Sequence, residues 1–209
     1  MKRLSLLLPL LAVSASVVAA DSAAERLAAA LERRLQSLKS LEILYEADDP
    51  LNGGEAVRGR MIWVMPDRFY HDTPEWTLCE RGGEQWRLLK EQRTLILERA
   101  AEESEWSCET VLFHISRDFR AVALDTLDDG RRVLALEATG GVAGGWARLE
   151  FAPREDRPDR LEFQPEDGNV TRYRILDWRE NTAPDTAIFA PPQVPPENVI
   201  DFRAAGAGR

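Results

Sequence analysis

The apolar positions divide the chain into a leader, one helix and a long series of strands. An amphipathic helix is predicted from Asp21 to about Leu41. Its apolar positions recur at intervals of three and four residues: Leu27, Leu31, Leu35 and Leu38. Its other faces carry charges of both signs, which favours a helix packed on protein over one lying on a membrane surface.

Beyond the helix, apolar and polar positions alternate, as they do in half-buried strands. Strands are predicted at 57–65, from about 68, and at 76–81, 84–90, 93–99, 119–126, 131–138, 145–152, 159–164 and 170–179. Short links such as Gly82-Gly83 and Asp129-Gly130 have the composition of hairpin turns. Residues 108–117 are predicted to form a short helix. Because no long helices alternate with the strands, the pattern favours an antiparallel meander over a parallel, doubly wound sheet.

Several strands have one apolar and one charged face, so the sheet must bury one side. In residues 146–151, for example, Leu149 and Phe151 alternate with Arg148 and Glu150. The predicted helices are small for a sheet of this length, which leaves two interpretations open: a hydrophobic cavity between sheet and helices, or a core that closes. The predicted wall of such a cavity consists of Met61, Trp63, Met65, Phe69, Trp86, Leu88, Leu149, Phe151, Phe163 and Ile175.

The C-terminal segment 189–196 is rich in proline, which cannot donate to a central strand ladder. It is therefore predicted to lie extended across an edge of the sheet.

The first twenty residues have the pattern of a secretory signal peptide. Lys2 and Arg3 precede an apolar stretch, and small residues lead to a cleavage site after Ala20. A membrane anchor is the alternative, but serines and a proline interrupt the stretch and a charged segment follows it at once. The remaining residues, 21–209, are predicted to form a single exported domain.

Composition then narrows the classes of function. The chain has 36 acidic and 27 basic residues, a net charge of −9, which speaks against binding to nucleic acid. It has two histidines and two cysteines, too few for most zinc sites, and carries no nucleophile elbow, phosphate loop or zincin motif. A non-enzymatic protein without metal or other cofactor is predicted. An enzyme stays open if His71 or His114 lies in a pocket beside a carboxylate.

Cys79 and Cys108 are the only two cysteines in the chain. In an exported protein, a lone pair is most simply a disulfide, and this one would close a loop of about 30 residues. A reactive thiol is the alternative. It requires electropositive surroundings, whereas Glu80 and Glu109 follow the two cysteines directly.

Three segments in this order resemble the LolA-type periplasmic lipoprotein carriers. Residues 59–69 (GRMIWVMPDRF) are similar to the strand pair of that family, and residues 78–88 (LCERGGEQWRL) to the hairpin that follows it. Near the C-terminus, FAPP at 189–192 and NVID at 198–201 resemble its closing signature. Each motif is short, so the resemblance depends on their colinearity.

The resemblance implies a mainly β fold: a curved, incomplete antiparallel β-barrel capped by the N-terminal helix and a short lid helix. It also implies a periplasmic, monomeric carrier that shields the acyl chains of lipoproteins, or of another lipid, between the inner and outer membranes. An inner-membrane lipoprotein-releasing ABC transporter and an outer-membrane receptor are the implied partners. The alternative function is an envelope sensor or regulatory module that uses the same lipid-binding fold.

Overall fold

A computed structural model describes residues 23–48, 56–100, 107–139, 144–166 and 168–203. The predicted signal peptide and its cleavage site lie outside these residues. The strands are β1 Ser40–Asp48, β2 Ala56–Val64, β3 Arg68–Asp72, β4 Trp76–Arg81, β5 Glu84–Leu89, β6 Thr94–Arg99, β7 Phe119–Thr126, β8 Arg132–Ala138, β9 Gly145–Phe151, β10 Pro158–Pro165, β11 Thr171–Glu180 and β12 Val199–Asp201. The helices are α1, residues 23–36, α2 Cys108–Phe113 and α3 Ile115–Asp118, with 3-10 turns at Thr186–Phe189 and Pro196–Asn198. The predicted class, mainly β with an antiparallel meander and a few short helices, is confirmed.

The chain forms two compact units, and each is described by itself. The eight-stranded unit consists of the described residues of 37–104 and 171–209. Its strand order is β12-β6-β5-β4-β3-β2-β1-β11, antiparallel except for the pair formed by β12 and β6. The four-stranded unit consists of the described residues of 1–36 and 105–170, with the antiparallel order β10-β9-β8-β7.

The four-stranded unit has a closed apolar core. Alternate residues of β8, β9 and β10 are buried on one face: Leu134, Leu136, Ala147, Leu149, Phe151, Leu161 and Phe163. Helix α1 contributes buried leucines at the predicted spacing, including Leu31 and Leu35. The helices are tied together where the Ser116 amide donates to Oε1 of Glu32 at 3.3 Å.

The boundary between α1 and β1 differs from the prediction. The helix ends at residue 36, and the strand begins at Ser40. Because the helical spacing of the leucines continues to Leu38, the predicted helix extends too far. Leu41 belongs instead to the alternating pattern of β1, and the Ser40 carbonyl accepts a hydrogen bond from the Asn181 amide at 2.8 Å. Pairing with β11 therefore decides this segment, although its spacing is helical.

The eight-stranded unit has a different apolar surface on each side of its sheet. In β1 to β4, side chains such as Tyr45 and Trp63 occupy one side, which we call the aromatic face. In β2 to β6, Ile62, Cys79 and Trp86 occupy the other side, which we call the closed face. The closed face is covered by the C-terminal segment, whose Phe189 is 2% exposed.

The C-terminal segment was predicted to cross an edge of the sheet, and the structure differs. A 3-10 turn, Thr186–Phe189, begins at Asp185, whose side chain accepts a hydrogen bond from the Ala187 amide at 2.9 Å. The turn directs Phe189 onto the closed face beside Tyr70. The chain then reaches the edge, where β12 pairs in parallel with β6.

Candidate functional site

The register of β1, β2 and β3 brings apolar residues together on the aromatic face. Ile43 lies opposite Met61, which lies opposite His71, and Trp63 lies opposite Phe69. Directly opposed residues of antiparallel strands point to the same side, so these side chains share one surface. Ile175 of β11 lies opposite Tyr45 and extends this surface.

Aromatic rings on this face contact one another. Trp63 stacks on Phe69 with ring centroids 5.1 Å apart, and Trp76 meets His71 edge-on at 4.6 Å. Tyr45 contacts the Tyr173 ring at 4.9 Å. Met61 and Trp63 are buried, whereas a rim of side chains is only half-buried: Phe69, His71, Trp76, Tyr173 and Ile175.

Beyond β4, the same side of the sheet is mixed in character. It carries Leu89 and Ile96 as well as Gln85, Arg87 and Glu98, and the Gln85 side-chain amide donates to the Glu98 carboxylate at 2.6 Å. The aromatic rings of this surface lie on β11, β1, β2, β3 and β4.

Tyr45 reaches across β2 to β3 because position 59 is glycine. A Cβ at Gly59 would overlap the Tyr45 ring. With that space free, the Tyr45 hydroxyl lies 2.5 Å from Nε2 of His71. Burial lowers the pKa of His71 to about 4, against a smaller opposing effect of Asp72, so the imidazole is neutral at neutral pH.

The residues predicted as a cavity wall are distributed over several places. Met61, Trp63, Phe69 and Ile175 share the aromatic face, whereas Trp86 and Leu88 lie on the closed face of the same unit. Leu149, Phe151 and Phe163 are buried in the core of the four-stranded unit, and Met65 is half-buried in the turn between β2 and β3. The register thus brings four of these residues together and places Trp86 and Leu88 on the opposite side of the sheet.

The four-stranded unit contains a cavity of about 620 Å³. None of the residues predicted as cavity wall lines it. The lining is charged as well as apolar and consists of Glu25, Arg120, Ala121, Val122, Ala135, Leu136, Glu137, Trp146, Ala147 and Arg148. Arg148 stacks over Trp146 at 4.8 Å, and Arg120 pairs with Glu137. The lining thus combines six apolar side chains with four charged ones.

The predicted disulfide is not formed in the structure, in which Cys79 and Cys108 are both buried free thiols. Cys79 packs in the closed face, with its sulfur 3.6 Å from the Phe189 carbonyl oxygen, and Cys108 begins α2. Burial raises the pKa of Cys79 to about 12 and also raises that of Cys108, and each is raised further by the glutamate that follows it. Neither thiol has the electropositive surroundings of a reactive cysteine.

The two histidines do not form a recognisable catalytic centre. His114 lies 3.9 Å from the buried Asp118 carboxylate, but Arg117 pairs with that carboxylate at 2.7 Å. Burial and Arg117 lower the pKa of His114. Neither histidine lines the cavity, and the described residues contain no cluster of three or more metal-ligating side chains.

Several solved structures are similar to this chain. A crystal structure of an uncharacterized conserved protein from Thermus thermophilus has a TM-score of 0.55 at 12% identity, covering 86% of this chain and 99% of that one. A LolA superfamily protein from Nitrosomonas europaea has a TM-score of 0.44 at 12% identity, covering 82% and 98%. A chain of the Pseudomonas aeruginosa MucA/MucB complex has a TM-score of 0.42 at 13% identity, covering 82% of this chain and 60% of that one.

The similarity to the Thermus thermophilus protein shows a shared fold at an identity too low to show a shared function. At a TM-score of 0.44, the similarity to the LolA superfamily protein leaves the LolA-type resemblance of the sequence motifs a prediction. No protein-family model matches the sequence, and no curated protein matches it significantly. Within the described residues, no helix has the length and apolar character needed to cross a membrane.

Sequence reasoning missed the residues at the centre of the aromatic face. Tyr45 follows the predicted helix in a segment without a predicted strand, and Gly59 belongs to a predicted strand that gives it no special role. The sequence suggests His71 as a ligand or catalyst, not as a member of an aromatic cluster. The alternation of Leu41, Ile43 and Tyr45 was the signal that could have identified β1.

Proposed function

We propose that this chain is an exported, non-enzymatic binding protein for acyl chains, and that its ligand lies on the aromatic face of the eight-stranded unit. It would carry lipoproteins or another lipid from an inner-membrane donor to an outer-membrane acceptor. The supporting observation is the rim of half-buried rings around Met61 and Trp63. Each CH₂ group buried there would contribute about 0.8 kcal/mol, so the affinity would grow with the length of acyl chain that contacts the rings.

The contrast with the closed face supports this assignment. Both faces are apolar, but the closed face is covered by Phe189, Ile188 and Val194 of the same unit. The half-buried rings of Phe69, Trp76 and Tyr173 retain accessible apolar surface. An acyl chain laid along these rings would remove that surface from water.

The test is the lipid content of gently purified protein, measured by mass spectrometry. Phe69→Glu places a carboxylate among the half-buried rings and should reduce the bound lipid at least about 10-fold, because burying a charge beside an acyl chain is unfavourable. Phe202→Glu is the matched control: it makes the same change at a phenylalanine 52% exposed just after β12, and should retain the lipid. Lipid-free wild-type protein, or a folded Phe69→Glu variant with undiminished lipid, would contradict the proposal.

The second candidate is a regulatory module that binds a partner protein. Ile200 and Phe202, in and just after the edge strand β12, are 42% and 52% exposed, which suits a protein contact. Cross-linking in envelope fractions distinguishes the two candidates. A partner captured by the wild type and lost with Phe202→Glu, but kept with Phe69→Glu, would favour regulation over lipid transport.

A further inference from the structure

The contact between Tyr45 and His71 is a polar feature of the aromatic face. Tyr45 is on β1 and His71 on β3, and the tyrosine side chain crosses β2 above Gly59. The Tyr45 hydroxyl oxygen and Nε2 of His71 are 2.5 Å apart. Tyr45 and His71 thus form a polar pair that spans three strands within an apolar surface. Burying polar groups is unfavourable unless they have hydrogen-bond partners, so a pair in this place indicates a specific role.

The pair leaves one donor of His71 available. A phenol is the stronger donor of the two and a neutral imidazole nitrogen the stronger acceptor, so we assign the Tyr45 hydroxyl as donor to Nε2. The proton of the neutral imidazole then resides on Nδ1. Within the described residues, Nδ1 of His71 has no hydrogen-bond partner, and the side chain is half-buried and so retains access to solvent.

The surroundings of His71 restrict which ligand group could accept this hydrogen bond. Phe69 and Trp76 contact the imidazole ring at centroid distances of 5.9 and 4.6 Å. Asp72 is the neighbouring charge, and it follows His71 on the strand, where alternation directs it to the other side of the sheet. The imidazole is neutral because burial lowers its pKa to about 4, so it offers a directional N–H rather than a charge.

We propose that His71, held by Tyr45 across Gly59, donates a hydrogen bond from Nδ1 to the carbonyl oxygen of an acyl ester or amide bound on the aromatic face. The inference rests on the proposed lipid-binding function and adds a polar anchor to it. Hydrocarbon contacts would supply most of the affinity, and the anchor would fix where along the surface the acyl carbonyl lies. Tyr45 is a positioning residue, since it sets the tautomer and orientation of the imidazole.

The test compares two single-chain lipids that differ only in the carbonyl. Palmitoyl lysophosphatidylcholine has an acyl ester, and its hexadecyl ether analogue has the same head group and chain length without the carbonyl. Binding is followed by tryptophan fluorescence below the concentration at which micelles form. Wild-type protein should prefer the ester roughly 2- to 10-fold, the contribution of one neutral hydrogen bond.

Variants show which residues cause the preference for the ester. His71→Phe should bind both lipids with the affinity of the ether, and Gly59→Ala, which displaces Tyr45 without touching His71, should reduce the preference. Tyr70→Phe is the matched control: it removes a hydroxyl from the neighbouring residue on the closed face and should keep the preference. Nitrogen-15 NMR of the imidazole provides a readout that needs no variant, because ester lipid should shift a protonated Nδ1 and ether lipid should not.

The outcomes separate the two proposals. If neither lipid binds, the lipid-binding function fails and the anchor fails with it. If both bind equally well to the wild type, or if His71→Phe keeps the preference for the ester, the anchor is overturned and the lipid-binding function stands. An Nδ1 without a proton in the wild type would also overturn the anchor.

Discussion

The two faces of the eight-stranded unit are built from shared strands but have different accessibility. On the closed face, Ile62, Cys79 and Trp86 pack under Phe189 and are almost inaccessible to solvent. On the aromatic face, rings such as Phe69 and Trp76 remain half-buried. The difference shows that apolar strand positions alone do not reveal which face of a sheet is covered. The closed face is covered by Phe189, about a hundred residues further along the chain than Trp86.

Phe189→Ala is expected to have the largest effect, because it uncovers the closed face. Phe189 is 2% exposed and its carbonyl oxygen accepts a hydrogen bond from the Trp86 indole at 3.4 Å. The free energy of unfolding in urea should fall by roughly 3–5 kcal/mol, the usual loss for removing a buried aromatic ring. Phe202→Ala, at an exposed phenylalanine, should change it by less than about 0.5 kcal/mol. Equal losses for both variants would mean that Phe189 does not seal this face.

The reactivity of the Cys79 thiol tests whether the closed face stays covered. Because its pKa is raised from 9.0 to about 12, the thiolate fraction at pH 8 is lower by roughly 1000-fold. In a Cys108→Ala variant, iodoacetamide should therefore modify Cys79 very slowly while the protein is folded. In urea, the modification should proceed at the rate of an ordinary exposed thiol. Rapid modification of the folded variant would show that the closed face opens readily.

The wild-type protein, unfolded in urea without reductant, tests the disulfide predicted from the sequence. Two free thiols per chain are expected from the structure. Thiols that react only after reduction would instead show that Cys79 and Cys108 are bonded to each other.

On the aromatic face, His71 should make stability depend on pH. Its pKa is about 4 in the folded chain and about 6.5 in the unfolded chain, so the unfolded chain binds this proton first as the pH falls. Stability is retained above about pH 6.5 and lost between about 6.5 and 4. Between pH 7.5 and 5, the unfolding free energy of the wild type should fall by roughly 2 kcal/mol more than that of His71→Phe. His114 titrates in both proteins and cancels in this difference.

A smaller or absent difference between the two proteins would show that the imidazole is well solvated. That outcome would make the aromatic face more open than its half-buried rings indicate, and would remove the reason for a neutral His71.

Most strands could be predicted from the sequence because their alternation is local. The alternating pattern of Leu149 and Phe151 in β9 and that of Tyr173 and Ile175 in β11 lie where the periodicity predicts them. β1 was harder, because Leu38 and Leu41 also satisfy helical spacing. It is a strand because it pairs with β2 and with β11, and β11 is more than a hundred residues away.

The candidate site was only partly predictable, because its residues are brought together by pairing between strands. Period-2 alternation shows which residues share a face within one strand, but not which face of the next strand joins it. Trp63 and Trp86 each lie on an apolar strand face, yet the register puts them on opposite sides of the sheet. The Tyr45–His71 pair depends on a missing Cβ at Gly59, which no periodic pattern reveals.

The division of the eight-stranded unit into two stretches of sequence has a consequence for the order of folding. Strands β7 to β10 are neighbours along the chain and can pair as successive hairpins as soon as they are available. The eight-stranded unit must wait for β11 to join β1 and for Phe189 to cover Trp86. Until then, its hairpins β2 to β6 expose the closed face to water and to other chains. A chain passing through a membrane from its N-terminus would therefore be most prone to aggregation just before its last forty residues emerge.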